Sequence, residues 1–135
     1  IPDFSLPNLN DTKSMINNND LKPQNIRMIN FFASWCGPCK MEHPLLMDLA
    51  NKEVAILGID FQDDQVLAQD FLEKAGNPYQ ITVWDNTGKL GPTWGIYSIP
   101  QTFLINSEGR VLYHKSGRLN SDDIKNNIQP LLKNK

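Results

Sequence analysis

Two cysteines, Cys36 and Cys39, are the only ones in the chain, and they stand in Trp35-Cys36-Gly37-Pro38-Cys39. Bridging them would staple little. The chain-entropy estimate for so short a loop is about 2 kcal/mol, against about 4.7 for a 100-residue loop. The pair therefore points to chemistry, and the chemistry is thiol–disulfide exchange. An apolar strand-like run ends just before Cys36 and a helical pattern follows. Unpaired backbone N–H groups at a helix start favour an anion, so a thiolate there is stabilised. Cys36 is expected to be the exposed nucleophile and Cys39, one turn inside, the shielded resolving thiol. Cys36 attacks a partner disulfide, and Cys39 then attacks the mixed disulfide and leaves Cys36–Cys39 oxidised. Pro38 sets φ in the first helical turn without removing a needed donor.

Other uses of two thiols fit less well. Covalent haem attachment needs His directly after the second Cys, and position 40 is Lys. Zinc needs about four ligands, and only His43 and His114 could supplement the cysteines. A pair of unrelated structural thiols is the third alternative. No metal and no cofactor beyond the redox pair itself is expected.

The elements that must position the pair can be read from the pattern. Residues 1–25 form an Asn- and Pro-rich N-terminal arm, or a short hairpin. Ile26 to Phe32 and Val54 to Phe61 are buried-type strands. Lys40 to Lys52 reads as a helix with Pro44 inside it as a kink. Asp63 to Ala75 reads as a helix with Val66, Leu67, Phe71 and Leu72 on its apolar face, stopped by Gly76-Asn77-Pro78. A strand over Ile81 to Trp84, a short helix or loop over 89–95, and strands Gln101 to Ile105 and Arg110 to Lys115 follow. Asn120 or Ser121 caps a last helix reaching Leu132. Strands separated by helices imply an α/β sandwich with a mixed sheet and one core.

The chain has 135 residues, 40% of them hydrophobic and 21% charged, which suits a single globular domain over 1–135. Net charge is −2 and the pI about 5.6, which argues against a general nucleic-acid binder. No apolar run reaches the roughly 18 residues of a membrane span. The first residue is Ile rather than Met, so a processed or trimmed form of a longer protein is expected.

Ala33-Ser34-Trp35-Cys36-Gly37-Pro38-Cys39-Lys40-Met41 resembles the thioredoxin active-site signature. Ile99-Pro100-Gln101-Thr102-Phe103 resembles the segment carrying that superfamily's cis-proline. Glu42-His43-Pro44, Gly76-Asn77-Pro78-Tyr79, Trp94-Gly95-Ile96-Tyr97 and Tyr113-His114-Lys115-Ser116-Gly117 narrow the likeness to the cytochrome c maturation thiol:disulfide interchange proteins of the DsbE/CcmG type. The resemblance implies a thioredoxin-like three-layer sandwich, with helices on both faces, an N-terminal arm and a central βα insert. It implies a monomeric periplasmic oxidoreductase, tethered to the inner membrane by an N-terminal anchor absent from this chain. Its partners would be apocytochrome c or a haem-pathway thiol protein, and its electron donor a membrane transporter of the DsbD/CcdA kind. A general periplasmic reductant or oxidant is the alternative, followed by a docking module with idle cysteines.

Site roles carry over by position. Cys36 and Cys39 match the redox pair, Pro100 the cis-proline and Glu42 the active-site acid, able to take the Cys39 proton if buried. Trp35, Gly37, Pro38, Ile99 and Gln101 are expected to meet the substrate. Asn30 stands where plain thioredoxins carry a buried acid, which favours Glu42 for that task. A solvated helix face remains open for Glu42, a core position for Trp35, and a surface or packing role for His43. Gln101 replaces the family's usual Glu, Arg118 its usual acid and Ser98 a usual Gly. A less acidic rim around the pair is therefore expected.

Overall fold

The computed structural model describes residues 1–133. A seven-stranded mixed sheet carries the fold, in the spatial order β2-β1-β5-β4-β3-β6-β7. The strands are β1 (Ser5–Asn8), β2 (Asp11–Asn17), β3 (Met28–Phe32), β4 (Ile56–Phe61), β5 (Ile81–Asp85), β6 (Gln101–Ile105) and β7 (Val111–Ser116). Central β3 pairs parallel with β4 and antiparallel with β6. All five of its residues are buried, as a strand covered on both faces requires.

Alternation along β3 divides the interior into two clusters. Met28 and Phe32 face a cluster closed by α1 (Gly37–Asn51), α2 (Gln65–Ala75) and the final helix, through Leu46, Leu49, Ala68, Leu72, Ile124 and Ile128. Ile29 and Phe31 face the other cluster, closed by α3 (Leu90–Trp94) and the N-terminal residues Phe4, Ile16 and Leu21. The final helix starts at Ser121–Asp123 under an Asn120 cap, widens to π geometry over Ile124–Ile128 and ends as Gln129–Leu132. Pro130, near the start of the last segment, has no N–H to continue the ladder.

Several expected elements shift. The N-terminal arm is a β1–β2 hairpin built into the main sheet, where Asn8 pairs with Val83 and the Leu9 N–H donates to the Thr82 carbonyl at 2.9 Å. Helix α1 begins at Gly37 rather than Lys40, because Cys36 itself is the cap. The expected apolar face of α2 holds only beyond its first turn, where Phe71 packs against the α1-side cluster and Leu72 is buried. Ala68 and Leu72 are its buried residues, whereas Val66 and Leu67 are 67% and 58% exposed. The Asp64 cap starts the helix at Gln65, so both lie in a first turn outside the core.

One glycine matters to the site. A Cβ placed on Gly58 would lie 2.6 Å from the Tyr79 ring, so only Gly lets that ring lie against the sheet. Tyr79 there stacks on Phe32 with centroids 4.8 Å apart. Gly58→Ala is expected to destabilise the fold by about 1–3 kcal/mol through overpacking. A thermal melt reads this loss, and an unchanged Tm would show that the ring has room to move.

Candidate redox site

Residues 33–36 form the corner between β3 and α1. The Cys36 N–H donates to the Ala33 carbonyl at 3.2 Å, and Cys36 adopts the extended backbone of a helix cap. Its Sγ accepts the Cys39 N–H at 3.2 Å. A sulfur held there faces the positive end of the α1 dipole, the environment that favours a thiolate. Cys36 and Cys39 form a disulfide with a Cα–Cα distance of 5.3 Å. The expected contrast in exposure between them is absent, since Cys36 is 3% exposed and Cys39 2%. Both belong to the α1-side cluster with Phe32, Ala33 and Leu119. In the oxidised pair, therefore, whole-residue exposure does not single out the attacking sulfur.

The Ile99–Pro100 peptide bond is cis, as expected. Pro100 is buried and Ile99 half-buried, while Gly37 and Pro38 are exposed at the start of α1. Trp35 is 58% exposed, which excludes the core reading, and its indole N–H donates to the Gln62 carbonyl at 2.8 Å.

Gln101 is not on the rim. It is 4% exposed. Its amide nitrogen donates to the Ser98 carbonyl and to Ser116 Oγ, both at 3.0 Å, and its Oε1 lies 2.6 Å from His114 Nε2. The side chain is thus committed to joining the cis-proline segment to β7 and is not presented to a partner. Arg118, by contrast, is exposed, with its guanidinium 3.6 Å from Met41 Sδ. Of the two positions expected to make the rim less acidic, only Arg118 is exposed.

Glu42 is fully buried, so the solvated reading fails. Its Oε1 accepts the Leu119 N–H at 2.9 Å, and its Oε2 accepts Asn30 Nδ2 at 2.8 Å. Burial pushes its pKa up to about 7, against the lowering effect of those two hydrogen bonds and of the Arg118 cation. It lies one helical turn beyond Cys39 on the same buried face of α1. A carboxyl poised near neutrality there is suited to exchanging a proton with a thiol. His43, next in sequence, is a packing residue. It is 4% exposed, its ring lies 4.9 Å from Phe71, and its Nε2 is 2.8 Å from the Gly76 carbonyl oxygen.

Asn30 links this acid to groups whose roles were not visible in the sequence. Its Nδ2 also donates to Thr102 Oγ1 at 3.1 Å, and its Oδ1 accepts the Tyr79 hydroxyl at 2.8 Å. Burial raises the Tyr79 phenol well above its ordinary pKa, with the Glu42 and Asp60 charges adding to the effect. Asp60 was missed altogether. It is fully buried, and among the described residues no N–H or hydroxyl donates to its carboxyl oxygens, while the Asp63 carboxyl lies within hydrogen-bonding reach of it. Burial first, and then Asp63, push its pKa up to about 10, so it is a neutral acid near pH 7. The available signal was a lone charged residue inside the apolar run Ile56–Phe61.

Comparison with known proteins agrees with this construction. The Redoxin family matches residues 1–128. The thiol:disulfide interchange protein HelX of Rhodobacter capsulatus is 40% identical over 113 residues, covering 84% of this chain and 64% of HelX. DsbE of Tatumella citrea is 35% identical over 131 residues, covering 97% of this chain and 71% of the relative. The chain thus spans about two-thirds of the length of these relatives. Among solved structures, a secreted thiol-disulfide isomerase from Corynebacterium glutamicum superposes with a TM-score of 0.83 at 23% identity, covering 98% of this chain and 85% of that one, a likeness of fold. A CxxC disulfide capping a helix, a cis-proline and a thioredoxin-like sheet thus meet in a chain that belongs to the Redoxin family, among the thiol:disulfide interchange proteins of the DsbE/HelX type.

Proposed function

We propose that this protein is an extracytoplasmic disulfide reductant of cytochrome c maturation. The observation that carries the chemistry is the geometry at the α1 start, with Cys36 Sγ on the Cys39 N–H and the buried Glu42 one turn beyond. The sequence resemblance to the cytochrome c maturation group supports the pathway. The printed names of the relatives support thiol–disulfide interchange.

In the proposed cycle the pair starts as two thiols. The Cys36 thiolate attacks one sulfur of a partner disulfide, and the other partner sulfur leaves as a thiolate. Glu42, ionised, takes the Cys39 proton directly or through one water. Cys39 then attacks Cys36 Sγ and expels the second partner sulfur. Two electrons have moved to the partner, and Cys36–Cys39 is a disulfide again. A membrane thiol donor of the DsbD/CcdA kind would return the electrons. The partner would be apocytochrome c or a haem-pathway thiol protein, and the location the periplasmic face of the inner membrane.

Trapping tests this reading. Cys39→Ser cannot resolve the mixed disulfide, so it should hold the partner on Cys36. Mass spectrometry should then identify apocytochrome c or a haem-pathway thiol protein, with nothing trapped by the Cys36→Ser/Cys39→Ser double variant. Capture of unrelated extracytoplasmic proteins alone would favour a general reductant and overturn the proposed pathway.

A further inference from the structure

The corner that presents Cys36 is held from outside the redox motif. Its two middle residues, Ser34 and Trp35, both bind the segment 62–64 that follows β4. Asp63 Oδ2 accepts the Ser34 N–H at 2.7 Å, and Asp63 Oδ1 accepts the Ser34 hydroxyl at 2.7 Å. The neighbouring Gln62 carbonyl accepts the Trp35 indole. Charged acceptors make the stronger hydrogen bonds, and Asp63 is only 6% exposed.

The segment is itself anchored independently of the cysteines. The Gln62 N–H donates to the Asp85 carbonyl at 2.8 Å, the Trp84 indole donates to the Asp63 carbonyl at 2.9 Å, and Asp64 caps α2 through the Leu67 N–H. Gln62 holds a left-handed φ of 47°, a conformation a non-glycine residue keeps only where its surroundings impose it. A fixed platform thus grips the two residues that set where Cys36 Sγ meets the helix start.

We propose that Asp63 is a positioning residue for the redox pair, acting through Ser34 to hold Cys36 at the α1 cap. This deepens the thiol-exchange reading and rests on it. Position and charge make opposite predictions. A nearby carboxylate acting only by its charge disfavours a thiolate, so removing it would lower the Cys36 pKa. A carboxylate that holds the corner stabilises the thiolate through the Cys39 N–H, so removing it raises that pKa and shifts the pair toward disulfide.

The experiment compares Asp63→Ala, Asp63→Asn and Ser34→Ala. It reads the equilibrium of the pair with glutathione and the ultraviolet titration of the Cys36 thiolate. Asp63→Ala should shift the equilibrium about tenfold toward disulfide, roughly 30 mV, and raise the thiol pKa. Asp63→Asn should shift it clearly less than Asp63→Ala, because its amide oxygen can still accept the Ser34 N–H and its amide nitrogen can donate to Ser34 Oγ, although that nitrogen no longer accepts the Asp64 N–H that Oδ1 takes at 2.9 Å. Ser34→Ala loses one bond and should shift the equilibrium about threefold. Equal shifts in the Asn and Ala variants, or a lowered thiol pKa, would overturn the proposal. If Asp63→Ala does not fold, a Ser34→Ala equilibrium equal to wild type would overturn it alone. The glutathione equilibrium involves no protein partner, so failure of the pathway reading in the trapping experiment leaves this result standing.

Discussion

Glu42→Gln is expected to slow disulfide exchange about a hundredfold at pH 8, the lower end of the range for loss of a general base. The reason is the proton on Cys39. In the oxidised pair Cys39 is 2% exposed, so bulk water is poorly placed to remove a proton at that position. Glu42 is buried three residues on, on the same face of α1, with a pKa pushed up to about 7. Below that value the carboxyl is neutral and cannot accept a proton; above it, it can. The resolution rate of the wild type should therefore rise as pH increases through about 7, whereas Glu42→Gln should keep only the dependence of the thiols themselves. Single-turnover kinetics across pH 5 to 9 separates the two. A superimposable profile for the variant would remove Glu42 from the chemistry.

Asp60→Asn is expected to stabilise the fold near neutral pH, and increasingly so as pH rises. Burial pushes the folded pKa of Asp60 up to about 10, well above the 3.8 of an ordinary aspartate, which the unfolded chain would approach. Between those values the folded state holds a proton that the unfolded state has lost. Folding stability therefore falls as pH increases across that window, by about 1.4 kcal/mol per pH unit for the single group. From pH 5 to pH 8 this amounts to a loss on the order of 4 kcal/mol that Asn, uncharged throughout, does not suffer. The Asn amide nitrogen can donate to the Asp63 carboxyl, and a hydrogen bond left unmade by the rest of the amide offsets the gain by about 1–3 kcal/mol, equally at every pH. The groups whose charges act on Asp60 are Asp63, Asp64 and Asp85, all of one sign. Urea unfolding of both proteins at pH 5 and pH 8 measures the difference in slope. Parallel pH dependences would mean that Asp60 ionises readily in the fold, through water or a cation reaching it.

The two buried acids explain why some of the site was legible and some was not. Cys36, Cys39 and Pro100 carry their signals in residue type and spacing, and the structure shows Cys36 capping the helix and Pro100 cis, though not the expected exposure of Cys36. Glu42 could be put on the face of Cys39 by helical spacing alone. Whether that face was wet or dry depended on β3, β6 and the Leu119 segment closing over it, which are distant in sequence. Gln101 failed for the converse reason. Its place beside the cis-proline marked it as a rim residue, but Ser98, Ser116 and His114 draw its side chain inward. Val66 and Leu67 show the limit of periodicity, since apolar residues at helical spacing need not be buried when the cap sets the first turn beyond the core.

By itself, the sequence determined the redox pair, the alternation of strands and helices, and the family likeness, because each rests on neighbours within one or two turns of chain. Tertiary structure alone decided the hairpin's place in the sheet, the Tyr79–Asn30–Glu42 network, the neutral Asp60 and the grip of Asp63 on Ser34. Those depend on which strands lie side by side. The proton affinity of a carboxyl follows from how much water its distant neighbours exclude, and no local pattern records that.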